Sequence, residues 1–183
     1  MASTRFREDK TTQAAARLLK LRGGAMSHLK LIKLLYLLDR EALLRWGRPV
    51  TYDWYYSMPH GPVLSYTLDL INSEEAGGRT YWGSFIAPRS NHEVRLRGDG
   101  AAPADQLSPA EEALIAEIFQ KYGGMTRWQL RDFTHTLPEW TDPQGSSVRI
   151  EHRDILRYGG LSDEDIAQVE ADLEESALAD AIF

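Results

Sequence analysis

Leu29 to Pro62 reads LKLIKLLYLLDREALLRWGRPVTYDWYYSMPHGP, and both fold and function turn on this stretch. Twelve of the eighteen positions from Leu29 to Trp46 are apolar, counting Tyr36 and Ala42. Lys30, Lys33, Arg40, Glu41 and Arg45 leave only a narrow polar stripe, interrupted by Leu37 and Leu44. A helix that is apolar on most sides must be covered on most sides. The stretch is therefore expected to be the buried central helix of a small bundle. Ser27 suits its N-cap, because a hydroxyl there can accept from the first free N–H groups. Gly47, with Pro49 just beyond, ends it.

From Arg48 to Pro62 the character changes. Tyr52, Trp54, Tyr55 and Tyr56 fall within five positions, and Met58, His60 and Pro62 follow. Aromatic side chains and Arg are the types enriched at binding hot spots. The competing reading is a strand or loop lying over the long helix, with His60 tied into a turn. Trp54 and Tyr56 alternate with Tyr55, so one set should face the core and the other the surface.

A first helix is expected over Thr12–Leu21, ended by Gly23-Gly24. Pro62 can open a third helix over Val63–Asn72, since the first helical position needs no N–H. Residues 73–79 read as a loop. Tyr81–Ile86 and Glu93–Arg97 read as strands of a small antiparallel hairpin through APRSNH, the second alternating strictly. Residues 98–105 are loop-like. Ser108-Pro109-Ala110-Glu111 is a capping box that starts a helix to Tyr122, and Thr126 with Gln129 starts another, to Leu137, closed by Pro138. After a loop at 142–147, a short helix is expected over Glu151–Arg157. Ser162 caps a last one to about Ala181, with Ile166, Val169, Leu173 and Ala177 on one stripe. The fold class is mainly α (α+β): a helical bundle around a buried helix, with one small β-hairpin. The main domain is placed at 1–160, with 161–183 as an acidic helix belonging or appended to it.

The chain has 183 residues and no cysteine, which removes disulfides, thiolate metal sites and cysteine nucleophiles. That fits a reducing cytosol, and the N-terminal sequence has no apolar secretory core, so a cytoplasmic location is expected. The longest apolar run in the central helix, Leu34–Leu38, is far short of the ~20 residues needed to span a bilayer. The net charge of -6 is unevenly placed. Residues 1–61 carry 11 Lys/Arg against 5 Asp/Glu, and residues 62–183 carry 10 against 22. From Asp163 to Phe183 there are eight acids and no base. This balance argues against nucleic acid as the main partner. An acidic last helix suits a basic partner, although solvated helix faces explain it equally well.

His28, His60, His92, His135 and His152 include no i, i+4 pair and no His-Glu-x-x-His. No Gly-x-Ser-x-Gly, P-loop or Gly-x-Gly-x-x-Gly occurs, and the double glycines fall where helix ends or loops belong. No catalytic residue, metal or cofactor is therefore expected. The candidate partner-binding residues are Arg48, Tyr52, Trp54, Tyr55, Tyr56, Met58 and His60. Tyr36, Asp39, Pro62, His135 and Trp140 are assigned structural roles.

The chain resembles the Panacea domain, the SocA-like antitoxin family. The residues that carry this are Lys33-Leu34-Leu35-Tyr36-Leu37-Leu38-Asp39-Arg40, Trp46-Gly47-Arg48-Pro49-Val50, and His60-Gly61-Pro62-Val63 with Leu64-Ser65 and Asp69-Leu70. Leu107-Ser108, Gly124 ahead of Leu130, and His135 with Pro138-Glu139-Trp140 follow in order, so the likeness spans roughly residues 14–140. Each motif is weak alone, and their order makes them specific. The run Asp53-Trp54-Tyr55-Tyr56 is more aromatic than the family pattern, and the acidic helix after Gly160 lies outside it. The resemblance implies a mainly helical antitoxin of bacterial or phage type that neutralises a cognate toxin, often one that blocks translation, in a protein–protein complex. It also implies an alternative, an adaptor that delivers the toxin to a cytosolic ATP-dependent protease. A third reading is an autorepressor that binds operator DNA through Arg17, Lys20, Arg22, Lys30 and Lys33, but the helix after Gly23-Gly24 is too apolar to lie in a groove.

Overall fold

The computed structural model describes residues 5–73, 80–99 and 102–182; the side chains of residues 180–182 are not described. The expected loop at 73–79, Ser73 apart, and part of that at 98–105 fall outside these residues. Eight helices and five short strands are described. Helix α1 (Glu8–Leu21) starts a turn earlier than expected. Strand β1 (Ala25–Ser27) leads into α2 (His28–Trp46). Strands β2 (Tyr55–Met58) and β3 (Gly61–Leu64) precede α3 (Ser65–Asn72). Helix α4 (Tyr81–Phe85) and strand β4 (Glu93–Arg95) follow. The chain continues through α5 (Pro109–Tyr122), α6 (Arg127–His135), β5 (Val148–Ile150), α7 (His152–Tyr158) and α8 (Asp163–Ile182).

Helix α2 is the centre of the molecule, contacted by α1, α3, α5, α6, α7 and β3. Leu31, Leu34, Leu35, Tyr36, Leu38, Ala42 and Leu43 are fully buried. Each such leucine contributes roughly 1.5–3 kcal/mol by leaving water, so this helix dominates the core. Gly47 adopts φ 67 at its end, and its N–H donates to the Leu43 carbonyl at 2.9 Å. The polar stripe read from the sequence is narrower still. Lys33 is fully buried and donates to the Pro62 carbonyl at 2.6 Å. Lys30 donates to the carbonyls of Gly123 and Met125, satisfying the end of α5. Neither lysine is therefore available to an operator. Ser27 occupies the N-cap position of α2 without a capping hydrogen bond, and the His28 N–H donates instead to the His92 carbonyl at 2.9 Å.

The β structure differs from expectation in two places. Tyr81–Phe85 is a helical turn, not a strand, because Thr80 caps it through the Gly83 N–H and the Glu8 carboxylate accepts from the Trp82 N–H at 3.0 Å. Strand β4 pairs with β1, Met26 opposite Val94, and of the expected hairpin there remain the isolated Ile86–Leu96 and Ser90–Glu93 bridges. The true hairpin is β2–β3, in a three-stranded antiparallel sheet of order β3-β2-β5. Pro62 accordingly does not open a helix; it lies in β3, opposite Ser57. An edge strand tolerates the missing N–H. Both capping boxes, at Ser108 and Thr126, form as expected. Helix α8 is held by buried Ile166 and Leu173, with Val169 against Gly47. No helix among the described residues is long and apolar enough to cross a membrane.

Candidate functional site: the aromatic segment and its clefts

Two buried carboxylates position the segment from Arg48 to Pro62. Asp39, on α2, accepts from the backbone N–H groups of Val50 and Thr51 at 2.9 and 3.0 Å, from the Thr51 hydroxyl, and from the Tyr55 hydroxyl at 3.0 Å. Burial pushes its carboxyl up to about 6 despite these donors, which favour the charged form. Asp53 accepts from the N–H groups of Tyr66 and Thr67 at 2.9 and 2.8 Å and from the Thr67 hydroxyl at 2.7 Å. It therefore caps α3 from across the hairpin, and burial raises its pKa too. Between these anchors Tyr52 holds φ 55, a left-handed conformation that costs a non-glycine residue roughly 1–3 kcal/mol.

A second buried acid network lies behind the sheet. Glu139 accepts from the Tyr36 hydroxyl at 2.9 Å and from Arg40 Nε at 2.6 Å. Burial, then the nearby Glu139, raises the Tyr36 phenol well above its ordinary range. Tyr36 meets Tyr55 edge to face at 5.6 Å. His135 stacks on Trp140 at 4.0 Å, and Trp140 Nε1 donates to the Met58 carbonyl at 3.2 Å, holding the hairpin from below.

The seven candidate contact residues do not form one patch. Tyr55 is only 1% exposed with its hydroxyl on Asp39, so it is a core residue and leaves the candidate surface. Trp54, Tyr56 and Met58 are partly exposed, on the opposite alternation of the strand from Tyr55 and Ser57. Arg48, 42% exposed at its side chain, pairs with buried Glu111 at 3.1 Å. With Tyr52 it edges a hollow of about 270 Å³ that Lys10 and Ser176 also line. His60 is exposed at the hairpin turn, its ring 6.2 Å from that of Trp128.

Trp54 borders a cleft of about 340 Å³, with β5, α7 and α8 as its other walls. The Arg149 guanidinium lies 3.3 Å from the centroid of the Trp54 ring, a cation–π contact. His152 lies 5.3 Å from Tyr55; burial, reinforced by Arg149, lowers its pKa to about 4, so the imidazole is neutral. Glu170, paired with Arg153 at 2.8 Å, and Leu173 bring α8 to the rim. Arg149 was not legible as a partner of Trp54, because β5 pairs with β2 across more than ninety residues and no local pattern announces it. Among the described residues, no group of three or more His, Asp or Glu side chains is placed to hold a metal ion.

These features describe a small helical domain that presents an aromatic hairpin pinned by internal carboxylates. Residues 31–141 match the family model of the antitoxin SocA-like, Panacea domain, and the chain belongs to that family. No curated protein and no solved structure matches the chain. The match covers the hairpin and Trp54, whereas Arg149, His152 and α8, the far walls of the cleft, lie beyond it.

Proposed function

We propose that this chain is an antitoxin that neutralises a cognate, translation-blocking toxin in the cytoplasm by direct stoichiometric contact, without catalysis. The family match over residues 31–141, which spans the whole aromatic segment, carries this reading. Two features support it. The buried acids beside the segment, Asp39, Asp53 and Glu139, are occupied by structural donors and are poorly suited to acid–base work on a substrate. Trp54 and Tyr56 keep partly open side chains of hot-spot type, with partly exposed Met58 and exposed His60 along the same hairpin.

Co-expression with the product of the neighbouring open reading frame tests the proposal. Growth rescue and a co-purifying complex are expected, and the absence of both sinks it. Trp54→Ala and Tyr56→Ala should each weaken the complex on the order of tenfold or more. Toxin half-life measured with and without this chain separates simple inhibition, which leaves it unchanged, from delivery to a protease, which shortens it.

A further inference from the structure

We propose that the surface around Trp128, built from Arg127, Arg131 and the hairpin-tip His60, is a docking site for an acidic segment of a protein partner. It rests on the antitoxin reading for that partner's identity, the toxin. Of the five tryptophans, Trp128 alone is largely exposed, at 45%. It sits on α6 two residues before buried Leu130, on the opposite side of the helix from the core. The Arg127 and Arg131 guanidinium groups lie 5.0 and 4.9 Å from its ring centroid, and His60 meets its edge. An exposed tryptophan held between guanidinium groups is a rigid platform that offers apolar area and charged donors together.

The local field is positive although the chain is net acidic. Burial lowers the pKa of nearby His28, and the Arg89 and Arg127 guanidinium groups lower it further. Asp132 neutralises Arg131 in part, at 2.6 Å, whereas Arg127 has no ion pair among the described residues. The platform thus has unspent donors suited to carboxylates. A polyanion fits less well. Nucleic-acid affinity needs several phosphates neutralised at once, and the chain carries a net charge of -6.

The test uses the intact chain with nitrogen-15 label, following the five indole N–H signals, with that of Trp128 assigned by Trp128→Phe. A twelve-residue peptide of Asp, Glu and Leu is titrated, alongside a Lys/Leu peptide and a twelve-nucleotide oligouridine. A saturable shift of the Trp128 signal by the acidic peptide is expected. It should weaken on the order of tenfold or more in the Arg127→Glu/Arg131→Glu variant, whose melting temperature should stay near that of the parent because half-buried Arg131 pairs with exposed Asp132 and half-buried Arg127 has no ion pair among the described residues. An unmoved Trp128 signal, an equal response in the variant, or tighter binding of oligouridine overturns the proposal. A co-expression arm separates the two readings. If the parent chain fails to neutralise the toxin, the antitoxin reading falls and the titration still decides the patch. If parent and double variant neutralise with equal affinity, the patch is not where the toxin docks.

Discussion

The Asp53 carboxylate accepts the Thr67 backbone N–H at 2.8 Å and the Thr67 hydroxyl at 2.7 Å, so a residue of the aromatic segment caps the helix that follows the hairpin. The same carboxylate holds the Trp54 and Tyr66 N–H groups. The hairpin and α3 are therefore tied through one carboxylate, which also holds the Trp54 backbone in place. Asp53→Ala removes the cap and leaves these N–H groups unsatisfied in a buried site. The expected loss is about 2–3 kcal/mol, read from urea unfolding. Asp53→Asn should fall between the two, since its amide retains one acceptor oxygen.

Gly61 carries a second constraint on the hairpin. Its φ is 92, and a Cβ there would lie 2.6 Å from Thr134 Oγ1 and 3.1 Å from Lys33 Nζ. Both the backbone and the space demand glycine. Gly61→Ala should destabilise the chain by about 1–3 kcal/mol, and Gly61→Ala with Thr134→Ala should recover only the steric part. Full recovery in the double variant, measured by thermal unfolding, would show that backbone conformation plays no role.

Lys33 makes stability depend on alkaline pH. Burial lowers its pKa from 10.5 to about 7 in the folded chain. Below pH 7 both states are protonated, and the fold bears the cost of a buried charge. Between about 7 and 10.5 the unfolded chain holds the proton and the folded chain does not, so stability rises with pH. Above that window both states are neutral and the cost is gone. Lys33→Met should remove this rise while losing the hydrogen bond to the Pro62 carbonyl. Equal slopes for parent and variant in unfolding curves from pH 7 to 10 would contradict the assignment.

Asp39 and His152 act in opposition on the acid side. A pKa of about 6 for Asp39 means the folded chain binds its proton more readily than the unfolded one, so stability falls as pH rises from about 4 to 6. A pKa of about 4 for His152 means the reverse, and stability rises through the same window. The two contributions nearly cancel in the parent. His152→Phe should expose the falling slope of Asp39, visible as higher stability at pH 4 than at pH 6. A flat profile in that variant would argue against the raised Asp39 pKa.

Helix α2 and the capping boxes at Ser108 and Thr126 were legible because their signals are local: a continuous apolar surface, and a hydroxyl three residues before Glu or Gln. The hairpin was not. Pro62 carries the same sequence signal at a helix start and on an edge strand. What selects the strand is Gly61 at positive φ under buried Lys33, a tertiary fact. Tyr81–Ile86 has the aromatic composition of a strand, yet Glu8, more than seventy residues away, accepts the Trp82 N–H and helps fix a helical turn. At the site, alternation correctly announced two faces around Tyr55, but which face is buried depends on Asp39 reaching it from α2. Trp128 was missed as a surface residue although its offset from Leu130 on α6 was there to be read.

Helix α8 decides whether the acidic tail is part of the domain or an attachment to it. Only Ile166 and Leu173 are buried along its described side chains, and Val169 lies over Gly47. Its ion pairs, Arg153 with Glu170 and Arg157 with Asp163, are exposed and contribute little. Burial of two aliphatic side chains gives roughly 3–6 kcal/mol in total, less the entropy of ordering the helix. A chain ending at Gly160 should therefore keep its fold, with a lower melting temperature and unchanged near-ultraviolet circular dichroism apart from the Trp54 environment. The truncation also removes the Glu170 and Leu173 wall of the cleft, which lies outside the family-matched span. If α8 only supports the fold, toxin affinity measured at a temperature where both forms are folded should be unchanged. If it shapes the cleft for a basic toxin surface, affinity should fall and the salt dependence of the complex should flatten, because acidic side chains no longer contribute to the encounter.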